Sequence, residues 1–229
     1  MYFGEKINNL GAESTEMTQA IKSAVEAAMK AALPSIVAAV KDACIQAIKK
    51  EINPTLLITQ YKQDSLDQQM RRENLRVTGL PEGGEEEETE KGLTKQVCTL
   101  AKEMGVEISP ECISSCHRIG RKSQGGKTRQ VMVRFTRRNQ RDAMYDARFK
   151  LKRHDKYKGV FVNEDLTPIR HALLMRAKNL SNVKGASSKN GNIVCKMADN
   201  EFVTLRSPDD LFHVGCDDVK YTDFKLNIL

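Results

Sequence analysis

Arginine and lysine crowd into one stretch of this chain. Between residues 117 and 158 stand fifteen Lys/Arg against Asp142, Asp146 and Asp155, a net of +12. A block of one sign on this scale is the electrostatic footprint of a polyanion partner. Arginine suits that contact, because its guanidinium grips phosphate in a bidentate fork and lies flat on a base. The candidates are Arg71 and Arg72, close enough in sequence for one phosphate to bridge both, then Arg76, and then Arg118, Arg121, Lys122, Lys127 and Arg129 around the Gly125-Gly126 loop. Arg134, the trio Arg137, Arg138 and Arg141, and Arg170 with Arg176 complete the set. The trio precedes an apolar-periodic segment. Cations at a helix start oppose its dipole, which points to a ligand rather than to helix stability.

Other chemistries find less support. Cys112, Cys116 and His117 are spaced like half a metal site, but no second knuckle supplies the missing ligands. His117 reads as structural. The six cysteines are scattered and read as reduced thiols. No GxxxxGK[ST], HExxH, GxSxG or paired-Asp motif occurs. Neither metal nor cofactor is expected, and the chain reads as a non-enzyme. No basic n-region precedes an apolar core at the N-terminus, so no signal peptide is expected. No apolar run looks long enough to span a bilayer, and no membrane partner is expected.

Elements of three kinds position the candidates. Residues 1–70 carry a net charge of −1, which leaves +8 of the total +7 to the remainder. Over 14–70 small apolar residues recur at helical spacing, with Pro34 and Pro54 interrupting the ladder. Two readings stand: a broken coiled coil through which the chain self-associates, or a weakly packed helical arm. From residue 71 the period alternates between two and 3.6. LRVTGL (75–80), CISSCHRI (112–119), QVMVRF (130–135) and GVFVNEDL (159–166) read as strands. Helices are expected over about 88–104 and, capped by Thr136, to about 151. The order is β-α-β-β-α-β, the split βαβ, ferredoxin-like arrangement. The Glu-rich run 82–90 reads as a solvated loop, with an internal mimic of RNA that competes for the basic face as the alternative.

A third unit, 167–229, reads as αββα. Thr167 and Pro168 open a helix, KGASSKN is a flexible loop, GNIVCKM and FVTLR are strands, and Ser207-Pro208 starts a last helix. The fold class is therefore α+β: a helical arm (1–70), a βαββαβ domain (71–166) and a small αββα domain (167–229).

Several segments resemble one known family. LDQQMRRENLRVTGLPE is similar to the junction between coiled coil and RNA-recognition-motif domain in the first open-reading-frame protein of LINE-type non-LTR retrotransposons. HRIG, TRQVMVRF and FVNEDLT resemble that family's second, third and fourth strands, and RHALLMRAKNL with NGNIVCK resembles its C-terminal domain. The similarity spans about 66–214. It implies an RNA-recognition-motif fold and an RNA-binding nucleic-acid chaperone that coats the element's transcript as an oligomer. Cytoplasmic ribonucleoprotein particles, with a nuclear fraction, are the implied location. Two departures stand out: Ser187 lies nearest to where family members often carry Trp, and the Ala-rich arm lacks a strong heptad.

The expected partner is single-stranded RNA, with single-stranded DNA as a second ligand. Arg76, Gln130 and Met132 occupy positions where RNA-recognition motifs usually carry stacking aromatics. Alternation turns Val131, Val133 and Phe135 inward and leaves Gln130, Met132 and Arg134 outward. Tyr145 and Tyr157 lie outside that face. Binding should therefore be led by the backbone, tolerant of sequence and steeply salt-dependent. The alternative is a protein-interaction scaffold, reused by a host, whose basic face is incidental.

Overall fold

The computed structural model describes residues 2–121, 128–224 and 226. The chain is α+β, with a long N-terminal helix and two antiparallel sheets. It divides into two compact units, one ending at Leu56 and the other running from Leu57 to Ile228.

Helix α1 spans Tyr2–Met70 and does not break at Pro34 or Pro54, contrary to the expectation from their positions. Each proline removes one backbone donor, at a cost of roughly 3 kcal/mol. The Ala-rich turns around Pro34 have enough helix propensity to continue through it. Ser35 Oγ donates to the Ala32 carbonyl at 2.8 Å in that turn. In the first unit Ile21, Val25, Leu33, Val37 and Val40 are all exposed. Within Met17–Met70 an 18-residue window is long and apolar enough, by composition, to cross a membrane. This corrects the expectation that no such run exists; alanines interleaved with Ile and Val raise the hydropathy without forming an obvious apolar block.

In the second unit, β1 (Asn74–Thr78), β2 (Ile113–Arg118), β3 (Val131–Phe135) and β4 (Phe161–Glu164) form one sheet in the order β2-β3-β1-β4, with all neighbours antiparallel. Helices α2 (Glu90–Glu103) and α3 (Arg138–Ala147) supply the apolar cover. Alternation works as expected: Leu75, Val77, Val131, Val133 and Phe135 point into a core with Leu93, Val97, Leu100 and Met144. Thr89 caps α2 through the Gly92 amide at 3.1 Å.

Thr136 does not cap α3. Arg137 holds the cap position without a side-chain bond, and Thr136 Oγ1 donates instead to the Cys112 carbonyl at 3.2 Å. The helix also ends earlier than expected, giving way to a 3-10 helix over Arg148–Arg153. Tyr145 and Tyr157 are buried, and the Tyr145 hydroxyl donates to the Ser188 carbonyl at 2.7 Å.

The second sheet has three strands rather than two: β5 (Val183–Lys189), β6 (Asn192–Met197) and β7 (Phe202–Leu205). Expected as a flexible loop, KGASSK forms most of β5. Its turn is Asn190-Gly191, both at positive φ (54° and 77°), the mirror-image geometry that matches strand twist in a tight hairpin. Helix α4 (Pro168–Lys178) packs on this sheet, capped by Thr167 as the sequence predicts. Ser207 forms its capping box, but the turn it opens, Pro208–Val214, is a 3-10 helix closed by Gly215 at φ 77°. The last turns of α1 join this second core through Leu57 and Tyr61.

Candidate nucleic-acid interface

Carboxylates claim half of the expected arginines. The side chain of Arg118 is only 3% exposed. Its Nε and Nη2 donate to Glu88 at 3.0 Å, Nη1 to the Leu80 and Arg129 carbonyls at 2.8 Å, and Nη2 to the Pro81 carbonyl at 2.6 Å. Arg129 reaches Glu82 at 2.9 Å and Glu88 at 3.2 Å, and its amide donates to Glu82 Oε1 at 2.8 Å. Both were expected to frame a ligand-binding loop; instead their side chains pair with the acidic run. Two members of that run, Glu82 and Glu88, are thus tied into the fold, while Glu85, Glu86, Glu87 and Glu90 are exposed as a solvated loop requires. The hydrogen bonds from the Arg129 side chain and backbone hold the Glu82 carboxyl down to about 2. Burial pushes Glu88 up, but the Arg118 hydrogen bonds and the Gly83 amide outweigh it and leave that carboxyl below its ordinary range.

Three further carboxylates, all buried, hold the arginines nearer the second sheet. Glu164 accepts from Arg141 Nη2 at 2.6 Å and from the Asn190 and Gly191 amides at 2.8 and 3.0 Å. Asp64, on α1, accepts from Arg170 Nε at 2.9 Å and from the Thr167 hydroxyl. Asp165 accepts from Arg76 Nε at 2.6 Å, Arg71 Nη1 at 3.3 Å and Asn74 Nδ2 at 3.0 Å. Arg141 and Arg170 are buried, so their expected ligand contacts become structural ones. Arg71 and Arg76 stay partly exposed behind Asp165.

The exposed cations converge elsewhere. Arg72, Arg138 and Arg206 line a cleft of about 410 Å³ together with Arg170, Ser65, Gln68, Gln69, Asn190 and Asn192. Among the described residues no acidic side chain lines it. The ion pairs of Arg72 to Glu73 (3.8 Å) and Arg138 to Asp142 (3.6 Å) are long and solvent-exposed, which makes them weak competitors for an anion. The walls are fixed. Gln68 donates to the Asp165 carbonyl at 3.0 Å and accepts from the Thr167 amide at 2.9 Å. Gly191 lies against Gln68 so closely that a Cβ there would come within 2.5 Å of Gln68 Cγ. Five chain segments therefore meet at the cleft: the end of α1, the start of α3, α4 through Arg170, the β5–β6 turn and the residue after β7.

Arg134 is exposed on the open sheet face, as alternation predicts, and lines a neighbouring groove with Arg72. Arg121, Arg137 and Arg176 are exposed outside the cleft. Arg176 Nη2 lies 3.7 Å from Cys216 Sγ. Lys122 and Lys127 lie outside the described residues. Across the sheet, His117, Met132, Arg76 and Asn163 share one row. Phe161, 53% exposed, stands beside Thr78.

Two exposed residues, one of them in the cleft, were not among the expected candidates. Arg206 sits between a strand and a cap, with nothing local to mark it. Phe161 was within reach of the parity that placed Arg134, since Val160 and Val162 point inward. Among the described residues no group of three or more His, Cys, Asp or Glu could hold a metal ion. Set against family models and curated proteins, the chain matches none.

Proposed function

We propose that this chain binds single-stranded nucleic acid, RNA first, by seating the phosphate backbone in the Arg72–Arg138–Arg206 cleft. One observation carries the reading: three exposed arginines converge on a pre-formed cleft that, among the described residues, no carboxylate lines. Besides the buried Arg170, the remaining wall groups are amides and a hydroxyl, which donate hydrogen bonds to phosphate and sugar oxygens without demanding a base identity. Nothing in the cleft reads a base edge through a fixed pair of donors and acceptors, so affinity is electrostatic and tolerant of sequence.

The strand order β2-β3-β1-β4 with its two helices supports reading residues 71–166 as a ferredoxin-like RNA-recognition motif. In that reading the usual stacking positions hold Arg76, Gln130 and Met132, and the ligand moves off the sheet centre toward the second sheet. The resemblance to LINE-type first open-reading-frame proteins supports a wider role, a non-catalytic chaperone that coats RNA as an oligomer through α1 in cytoplasmic ribonucleoprotein particles.

Filter binding of single-stranded RNA at a series of salt concentrations tests the proposal. Arg72→Ala, Arg138→Ala and Arg206→Ala should each lower the slope of log affinity against log salt by about one. Thermal melts should not move. Wild-type slopes in all three variants would refute the cleft as the binding site.

A further inference from the structure

At the far end of α3 from the cleft lies a second surface of the same chemistry. Residues 148–158 carry six Lys/Arg against Asp155 alone. The 3-10 turn Arg148–Arg153 is anchored by buried Leu151, and Tyr157 anchors the turn after it. Lys150 Nζ donates to the Met104 carbonyl at the end of α2 at 2.8 Å, and His154 pairs with Glu103 at 3.1 Å. Between these anchors Phe149 is turned outward, 58% exposed.

The ring is set among cations. The Arg148 guanidinium lies 3.7 Å from the Tyr145 ring centroid and 4.1 Å from that of Phe149, and its Nη1 donates to the Tyr145 carbonyl at 2.7 Å. Lys152 Nζ lies 5.8 Å from the Phe149 centroid. Lys152 is exposed, as are Arg153, Lys156 and Lys158 further along the same segment. An outward aromatic ring held by a stacked guanidinium, with Lys152 in reach, offers a base a π-face and its phosphates a counter-charge. An acidic peptide would use the cations and leave the ring unused.

We propose that Phe149, with Arg148, Lys152 and Arg153, forms a second single-strand contact, a base stacking on Phe149 while the cations take the flanking phosphates. The inference rests on the nucleic-acid reading of the cleft and extends it. Arg138 opens α3 and Phe149 follows its end, so the two contacts are roughly 15 Å apart along the helix at 1.5 Å per residue. Each chain can then hold two strands, or two stretches of one strand, at once.

The test uses the full chain and short 4-thiouridine-labelled oligouridylate. Irradiation followed by peptide mapping should crosslink the peptide containing Phe149. That crosslink should persist in a cleft variant, Arg72→Glu with Arg138→Glu, and disappear in Phe149→Ala. Titration should give two oligonucleotides per wild-type chain and one per chain of either variant. At the surviving patch of the cleft variant, adding Phe149→Leu should weaken binding by about tenfold, because bulk without a π-face does not stack. Phe149 is exposed, so its replacement should leave the melt unchanged.

If the patch variant binds and crosslinks as wild type while the cleft variant loses all binding, the second contact is refuted and the cleft stands. If the patch variant loses all binding and the cleft variant none, the cleft reading falls and the patch stands. No change in either variant defeats both. A polyglutamate peptide that binds the patch without being displaced by RNA also overturns the inference.

Discussion

Arg76 donates to Asp165 at 2.6 Å, and the carboxylate it meets is only 1% exposed. That carboxylate also holds Arg71 and Asn74. Two arginines expected to face RNA are thus restrained by one buried acid. Removing one partner of a buried pair leaves the other uncompensated, so Asp165→Ala should cost on the order of 3 kcal/mol in urea unfolding. Asp165→Asn, milder for the fold, releases both cations. It should raise single-stranded RNA affinity at low salt and steepen the salt slope by one to two, roughly one for each freed cation. A flat response would show that Arg71 and Arg76 take no part in binding even when free.

The acidic clamp has a pH signature. Glu82 falls from its ordinary value of 4.5 to about 2 in the folded chain. A carboxyl depressed by folding contributes stability above its unfolded value, and that contribution is lost as pH falls through the folded one. The Arg129 amide should therefore lose exchange protection between about pH 4.5 and pH 2. In Glu82→Gln the protection should be lower at neutral pH and indifferent to this window. Hydrogen exchange read by NMR measures both.

The arm's boundary can be tested by truncation. Leu57 and Tyr61 pack into the second core, and Asp64 and Gln68 bond to Thr167 and its surroundings. A chain cut to 57–229 should melt cooperatively. One cut to 71–229 should lose several kcal/mol, since it abandons a buried charge partner and its hydrogen bonds. By light scattering the full chain should self-associate at micromolar concentration through its exposed apolar stripe, and 57–229 should not. Equal numbers of chains per particle would remove the arm as an oligomerisation element.

Thiol labelling gives an independent check on burial. Cys44 is exposed, whereas Cys116 and Cys195 are buried. Burial pushes the Cys116 thiol up to about 12 and raises Cys195 as well. Since the thiolate is the reactive form, a maleimide at neutral pH should modify Cys44 first and reach Cys116 and Cys195 only on unfolding.

The alternation that marks β1 to β4 was legible because each strand has one buried face, and the period of two is written locally. The pairing of arginines was not legible. Arg170 and Asp64 are 106 residues apart, as are no two groups that a local pattern could connect. Charge counting therefore could not separate paired from unpaired members: Arg118, Arg129, Arg141 and Arg170 carry the same sign as Arg72 and Arg138 but spend it inside the fold. KGASSK deceived for a different reason. Small polar residues read as a loop, whereas the Asn-Gly turn beside them was the stronger signal for a hairpin. Pro34 and Pro54 were over-read as breaks, since a proline's cost is finite and the surrounding helix can absorb it.

The connector from α1 to β1 has no slack. Arg71, Arg72 and Glu73 form one turn, tied by the Arg71 and Asn74 amides to the Gln68 and Arg71 carbonyls at 3.2 and 2.9 Å. Gln68 and Asp64, one helical turn apart, engage α4 from one face of α1, while Asn74 is already in register with Arg134. A single inserted residue would rotate that face by about 100°, carrying both side chains away from their partners. Insertions at 71–73 should therefore be rejected here, although comparable ones are tolerated in ordinary surface loops, and the spacing between helix and sheet behaves as a fixed ruler rather than a tether.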